Sequence, residues 1–393
     1  MSFVNPLYLE IGDTQEQLIK TLGAHTAAAT TPHAITLVYR TNGSCANLTD
    51  VFTVPPKPIV SGTTMSYVLA GQNPALASPT CTLDAATPID VGNAALFISS
   101  CAGQAPAQPA GVSAQQGPIQ AYTLVVPNAS SQTAITAEEA YFVFGFGNND
   151  GFNSATNSTP LSPWNDTAFI FTRLSTKSTL LTWVHTLSQR GGDVAGDPRT
   201  FTPAKFLGTA LNASSDVVGH VTGVTGSDRE RTIGLLGAEV YDSNPTVLRE
   251  LAFQWFDQKH AYFPDSALGA KDKRNLRDGH YAVWSPTFWI ENVNTDGSPT
   301  KTDADYVINL ILGKQQQLQV NPVDDIISVG LVPSCAMQVN RSVEGGPLSL
   351  FDPTSQCRCY YDSKVGTSSC ATCNASTPCA TGVCSPDGFC EAK

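Results

Sequence analysis

Charge is what this sequence has least of. Only 14% of its 393 residues are Asp, Glu, Lys or Arg, and the balance is acidic, with a formal net charge of −11. Such a surface offers no positive field to a phosphate backbone or an anionic bilayer, so nucleic acid is excluded as a partner. No run of roughly 18 apolar residues occurs, which leaves no candidate for a spanning helix. The opening MSFVNPLYLEIG runs straight into an expected strand, so no secretory leader is expected within it. Catalytic signatures are missing as well: the 6 histidines include no H-E-x-x-H or H-x-H pair, and no G-x-S-x-G elbow or G-x-x-x-x-G-K loop is present. His185 falls in mid-helix and is expected as a helix-surface or core residue. No nucleophile, base and orienting group occur together, so no enzyme and no cofactor are expected. Asn292-x-Asn294-x-Asp296-Gly297 imitates a calcium loop but lacks its first Asp and bidentate Glu, so a polar hairpin turn is expected and no metal.

Cysteine is absent between Cys101 and Cys335 and crowded beyond it. Cys370-x2-Cys373 is the one zinc-like pair, without companion ligands, so the cluster reads as a disulfide framework. Cys335, Cys357, Cys359, Cys370, Cys373, Cys379, Cys384 and Cys390 are even in number and can close four bridges among themselves. Cys45, Cys81 and Cys101 are odd; Cys81 is expected to pair with Cys101, leaving Cys45 free or joined elsewhere. Disulfides persist outside the cytosol, so an extracellular or periplasmic setting follows.

The stretch that organises the rest is Asp166 to Gln189, DTAFIFTRLSTKSTLLTWVHTLSQ. Ala168 to Thr172 reads as a strand ended by Arg173; Leu180, Trp183, Val184 and Leu187 then recur at helical spacing until Gly191 and Gly192. The turn Leu174 to Thr179, with Arg173 just before it, sets hydroxyls and two cations, Arg173 and Lys177, beside a helix start, where unpaired N–H groups and the positive dipole end lie. This describes either an N-capped core helix or an anion site.

Elsewhere strands and helices alternate, which predicts α/β sheets. Leu7 to Ile11 is an expected strand, and Asp13-Thr14-Gln15-Glu16 a capping box opening a helix. Ile35 to Tyr39 is a strand leading into the turn Arg40 to Cys45, Ile89 to Ser99 a buried strand, and Ala102 to Pro118 a loop. Tyr122 to Val126 is a strand, Thr136 to Glu139 caps a helix ending at Phe144, and Phe146 to Pro163 is a loop. Val217 to Val224 and Ile233 to Val240 read as strands, Thr246 to Trp255 as a helix, Tyr281 to Ile290 as an aromatic strand, and Asp303 to Leu312 as a helix capped by Thr302 and Asp305.

Taken in order, IGDTQEQL, TNGSC, IDVGNAALFISSC, AYTLVVPNAS, FTRLSTKST, IGLLGAEVY and RDGHYAVWSP resemble the phosphate-binding branch of the periplasmic substrate-binding proteins, over about residues 5–330. The resemblance implies a two-lobed α/β fold of the type II kind, without catalytic activity, holding an oxyanion in the cleft between lobes. Residues 1–125 and 285–334 would form lobe one and 126–284 lobe two, with 335–393 a small disulfide-rich extension. The implied ligand residues are Thr14, Ser44, Arg173, Lys177, Ser178 and Thr179, with Arg173 facing the helix that begins near Asp13. The family's Ser-Gly-Thr reads Lys177-Ser178-Thr179 here, and its D-x-G-x-S-D reads Asp90 to Ala95, ending in Ala94-Ala95. With no carboxylate left to accept a proton from phosphate, the remaining donors favour a fully ionised oxyanion or a carboxylate.

Two functions follow as expectations. One is a secreted solute-binding protein that captures a small anion or polar metabolite, with a membrane transporter or surface protein as partner. The other is an extracellular structural protein that keeps the fold without a ligand, as Ala94, Ala95 and Ser178 suggest.

Overall fold

A computed structural model of the chain describes residues 3–144, 162–188, 207–314 and 321–391. Most of the loop expected over 146–163, and the helix stop at Gly191 and Gly192, lie outside the described residues. The chain divides into two compact units, one of Met1–Pro118, Thr176–Ser178 and Ser285–Val329, the other of Ile119–Ser175, Thr179–Trp284 and Gly330–Lys393. Whereas the sequence partition crosses at 125 and sets the tail apart, here the boundary falls at Pro118 and the tail belongs to the second unit.

The sheet of the first unit runs, in spatial order, Thr80–Thr82, Thr64–Tyr67, Thr36–Asn42, Pro6–Gly12, Val91–Ala94 and Trp284–Asn292. Its three central strands are parallel and the others antiparallel. Leu7, Leu9 and Ile11 are wholly buried, as are Leu37 and Val38, which is the apolar signature of parallel strands covered on both faces. Helix Glu16–Ala28 packs on the strand Thr36–Asn42, and helix Ser44–Phe52 on Val91–Ala94. The register Gly12↔Asn42 puts two strand ends side by side, each followed at once by a helical turn.

Several local expectations are corrected here. The Asp13 capping box does not form: Gly12 is the N-cap of a 3-10 turn Asp13–Gln15, and Glu16 accepts from the Tyr39 hydroxyl at 3.0 Å. The turn expected through Cys45 contains the start of helix Ser44–Phe52. The strand expected over Ile89 to Ser99 is Val91–Ala94 followed by a 3-10 turn Ile98–Cys101, and from Val112 onward the loop expected up to Pro118 is already the strand Val112–Pro127. The expected Cys81–Cys101 bridge is replaced by Cys45–Cys101, and Cys81 is the free thiol. Cys81 sits in the outermost strand of the sheet, whereas Cys101 lies against the helix start, its Cα 5.3 Å from that of Cys45. The Asn292 segment is a turn, as expected, with Asn294 N–H donating to Ser298 O at 2.7 Å and Gly297 at φ 82.

The second unit is built on Val112–Pro127 from Ile119 onward, flanked by Ile233–Gly237 and Leu248–Glu250, both antiparallel to it. Ile170–Arg173 and Thr209–Leu211 continue the sheet in parallel. The expected strand at Val217 is a helix, Ser214–Thr222, because Val217 and Val221, one turn apart, both enter the core with Val125, Phe171, Leu236 and Leu248. The expected helix over Thr246 to Trp255 is instead two short strands, Leu248–Glu250 and Ala252–Gln254, and Val247, assigned to its apolar face, is 45% exposed. Ile233–Gly237 ends in helix Ala238–Ser243. The Thr136 capping box forms as read, with Glu139 N–H donating to Thr136 Oγ1 at 3.0 Å and Thr136 N–H to Glu139 Oε2 at 2.8 Å.

An ionic cluster lies inside this unit. Lys273 Nζ donates to Asp242 Oδ2 at 2.7 Å and Asp265 Oδ1 at 3.0 Å, while Glu250, 1% exposed, has no hydrogen-bond partner on either carboxylate oxygen. The tail closes beside it, with Arg277 bonded to Asp362 at 2.5 Å and stacked 4.5 Å from the Tyr361 ring. Its bridges are Cys335–Cys357, Cys359–Cys370, Cys373–Cys384 and Cys379–Cys390. The sulfurs of Cys373, Cys379 and Cys384 lie within 4.8 Å of one another but are consumed in those bridges. Glu391 Oε1 accepts the N–H of Cys359 at 2.9 Å and so supports the tail helix Arg358–Lys364.

Candidate functional site

Open α/β sheets hold ligands at the carboxyl ends of their parallel strands. In the first unit these ends are Gly12, Asn42 and Ala94, and they bring Thr14 and Ser44 to one place: a Cβ built on Gly12 lies 3.6 Å from Thr14 Oγ1 and 3.9 Å from Ser44 Oγ. The same point is 3.6 Å from Asn93 Oδ1. Asn93 is the residue that sequence reasoning missed. Its Oδ1 accepts Gly12 N–H at 3.3 Å, its Nδ2 donates to Phe288 O at 3.1 Å, and its carbonyl accepts Asn47 Nδ2 at 2.8 Å. Its signal in the sequence is a polar residue inside the apolar IDVGNAALF run, beside Ala94 and Ala95.

Ser44 Oγ accepts the N–H of Ala95 at 3.1 Å, so the serine at the helix start ties the neighbouring strand end to it. Lys177, from the polar turn, belongs to this unit and holds Asp13 with Nζ 3.5 Å from Oδ1. Thr176 O accepts the N–H of Cys45 at 3.2 Å. Behind the site, Glu10 receives Arg40 Nη2 at 2.6 Å and Asn42 Nδ2 at 3.0 Å; burial raises its pKa, and these two partners offset part of the rise. Asp90 accepts Tyr8 N–H at 2.9 Å and Lys301 Nζ at 2.8 Å, at the amino end of its strand.

The other expected residues lie in the second unit. Arg173 is wholly buried and all three of its nitrogens donate there: Nε to Leu211 O at 3.3 Å, Nη1 to Ser214 Oγ at 2.6 Å and Nη2 to Asn212 O at 2.7 Å. Its fork therefore ties the end of strand Ile170–Arg173 to the strand and helix that follow. Thr179 follows Ser178 at the start of helix Ser178–Ser188, whose Leu180, Trp183, Val184 and Leu187 enter the core as their spacing predicts. All six expected ligand residues are buried, none more than 5% exposed.

No family model matches the chain, and no curated protein matches it in sequence. Solved structures do match. A Clostridium perfringens protein described as a phosphate ABC transporter substrate-binding protein, solved with bound phosphate, is 11% identical, with 84% of this chain and 99% of that chain covered and a TM-score of 0.50. An ABC-type phosphate transport receptor from Vibrio cholerae is 11% identical, with 84% and 100% covered and a TM-score of 0.48. The reduced OxyR regulatory domain from Pseudomonas aeruginosa is 10% identical, with 78% and 95% covered and a TM-score of 0.38. At these identities the likeness is one of fold. The chain has the two-unit α/β fold of the phosphate-binding periplasmic proteins, extended by a disulfide-rich C-terminal tail.

Proposed function

We propose that this chain is a solute-binding protein of the extracellular or periplasmic space, which takes a small oxyanion or a carboxylate-bearing metabolite at the strand ends of its first unit. The observation that carries the reading is the convergence of Thr14, Ser44 and Asn93 with two helix starts around Gly12. Five disulfides support the location. Thr14, Ser44, Lys177 and Ser178 are the side chains that would donate; the guanidinium of Arg173 is engaged by Leu211, Asn212 and Ser214. A transporter or surface protein would receive the solute, and no chemistry on it is proposed.

The ligand class follows from proton accounting. Monoprotonated phosphate needs an acceptor as well as donors. Ala94 and Ala95 supply none, Asn93 Oδ1 is taken by Gly12 N–H at 3.3 Å, and Asp13, next to Thr14, is paired with Lys177. Sulfate or a carboxylate is therefore expected to bind no more weakly than phosphate. Titration calorimetry with both anions at matched ionic strength tests this. Tight phosphate with sulfate rejected overturns the ligand class and gives Asp13 the acceptor role; heat from neither anion, nor from small carboxylates, moves the reading to a ligand-free extracellular surface protein. Ala94 and Ala95, which offer no polar side chain at a strand end, favour that second reading.

A further inference from the structure

The residues Thr176–Ser178 pack with the first unit although the chain on both sides of them belongs to the second. They sit on the start of helix Ser44–Phe52, a helix whose N-cap, Gly43, has no side chain to offer it. The capping oxygen comes from elsewhere: Cys45 N–H donates to the Thr176 carbonyl at 3.2 Å. Gly43 has φ −82 and ψ 146, a conformation open to any residue, so its conformation does not call for glycine. Space does. A Cβ on Gly43 would lie 2.3 Å from Thr176 Oγ1 and 2.7 Å from both Thr176 Cβ and Thr176 O.

A helix N-terminus of this kind is where an oxyanion is held best, because N–H groups and the positive dipole end face it. Here a main-chain carbonyl oxygen, itself a partial negative charge, already takes that place. Lys177 follows it directly and sets an ammonium against Asp13, at 3.5 Å. We propose that the Thr176 peptide is a displaceable internal stopper: its carbonyl holds the donor that an incoming oxyanion must take, so binding requires that this carbonyl turn away while Lys177 and Ser178 stay to meet the anion. Lys177, one residue on, then meets the charge of whichever oxygen occupies the helix start. This inference rests on the solute-binding reading above and adds a control to the same site.

The test compares the full chain with Gly43→Ala and Thr176→Gly. The first places a methyl where the segment sits; the second removes the side chain that packs on Gly43 and loosens the backbone, and keeps the test usable if alanine at 43 impairs folding. Two readouts are taken: hydrogen exchange at the Cys45 amide without ligand, and calorimetric titration with sulfate and with phosphate. The stopper requires faster exchange at Cys45 in both variants and tighter anion binding in Thr176→Gly; in Gly43→Ala the methyl, 2.7 Å from the place of the Thr176 oxygen, also obstructs an incoming oxyanion, so that variant reports the eviction through exchange alone. Equal affinity in the parent and Thr176→Gly overturns the stopper and leaves solute binding standing. Unchanged protection of the Cys45 amide in both variants overturns it as well, and absence of binding in all three proteins removes the stopper together with the reading it rests on.

Discussion

Glu250 gives this protein a stability that falls as pH rises. It ends the strand Leu248–Glu250 opposite Val125, is 1% exposed, and neither carboxylate oxygen has a hydrogen-bond partner; the hydroxyl of nearby Thr123 bonds the Leu124 carbonyl at 3.5 Å. Burial pushes its pKa from 4.5 to about 8; Lys273 opposes the rise, and Asp265 and Asp242 add to it. Tyr281 and Tyr241 feel its charge and are themselves raised, chiefly by burial. A group whose pKa is higher in the folded state contributes stability that is full below its unfolded pKa and is lost as pH climbs to the folded one. The window is therefore from about 4.5 to about 8, and at about 1.4 kcal/mol per pH unit the loss amounts to at most roughly 5 kcal/mol. That is a large part of a typical total of about 5–15 kcal/mol. Glu250→Gln keeps the shape and removes the titration. Urea unfolding at pH 5, 7 and 9, followed by tryptophan fluorescence, is the assay; Trp164, Trp183, Trp255 and Trp284 are in the second unit and only Trp289 in the first. The variant should match the parent near pH 5 and exceed it by several kcal/mol at pH 9. Glu291, raised to about 7 by burial and Asp305, is common to both proteins and cancels in the difference. Parallel curves across the range would refute the assignment of an uncompensated carboxylate to Glu250.

Non-reducing peptide mapping should recover Cys45 joined to Cys101 and four bridges within residues 335–390, with Cys81 as a single thiol. That thiol should react slowly near neutral pH, since burial and Asp84 raise its pKa; a Cys81–Cys101 peptide would contradict the pairing. Arg173→Ala should cost about 3 kcal/mol or more by leaving the Leu211 and Asn212 carbonyls short of a buried donor, and Arg173→Lys should recover little because the fork is lost. Thermal unfolding checks both, and an alanine variant within about 0.5 kcal/mol of the parent would show that the guanidinium is not a structural tie.

Where the sequence was read well, the information was local. Leu180, Trp183, Val184 and Leu187 share one helix face because 3.6-residue spacing allows nothing else, and Thr136 and Glu139 cap each other across three residues. Where it was read badly, the deciding contact was distant. Val217 and Val221 suit a strand by side-chain type, and only the core waiting at Phe171 and Leu236 makes them neighbours on a helix. Leu248–Glu250 is a strand because Pro127 to Val125 offers it an edge, a partner far away along the chain.

The sequence by itself determined the class of this protein: a weakly charged, acidic chain with crowded cysteines, alternating strands and helices, and hydroxyls at helix starts, each of which follows from composition or from spacing within a few residues. Tertiary structure alone decided the pairings. Cys45 rather than Cys81 meets Cys101 because an edge strand and a helix start are held at different distances from it, and no spacing encodes those distances. For the same reason only the fold could place Asn93 between Gly12 and Asn47, commit Arg173 to Leu211, Asn212 and Ser214, and set the carbonyl of Thr176 over the N–H of Cys45. Hydrogen bonds are decided at about 3 Å, whereas periodicity specifies which face of an element is apolar and leaves open what that face will meet.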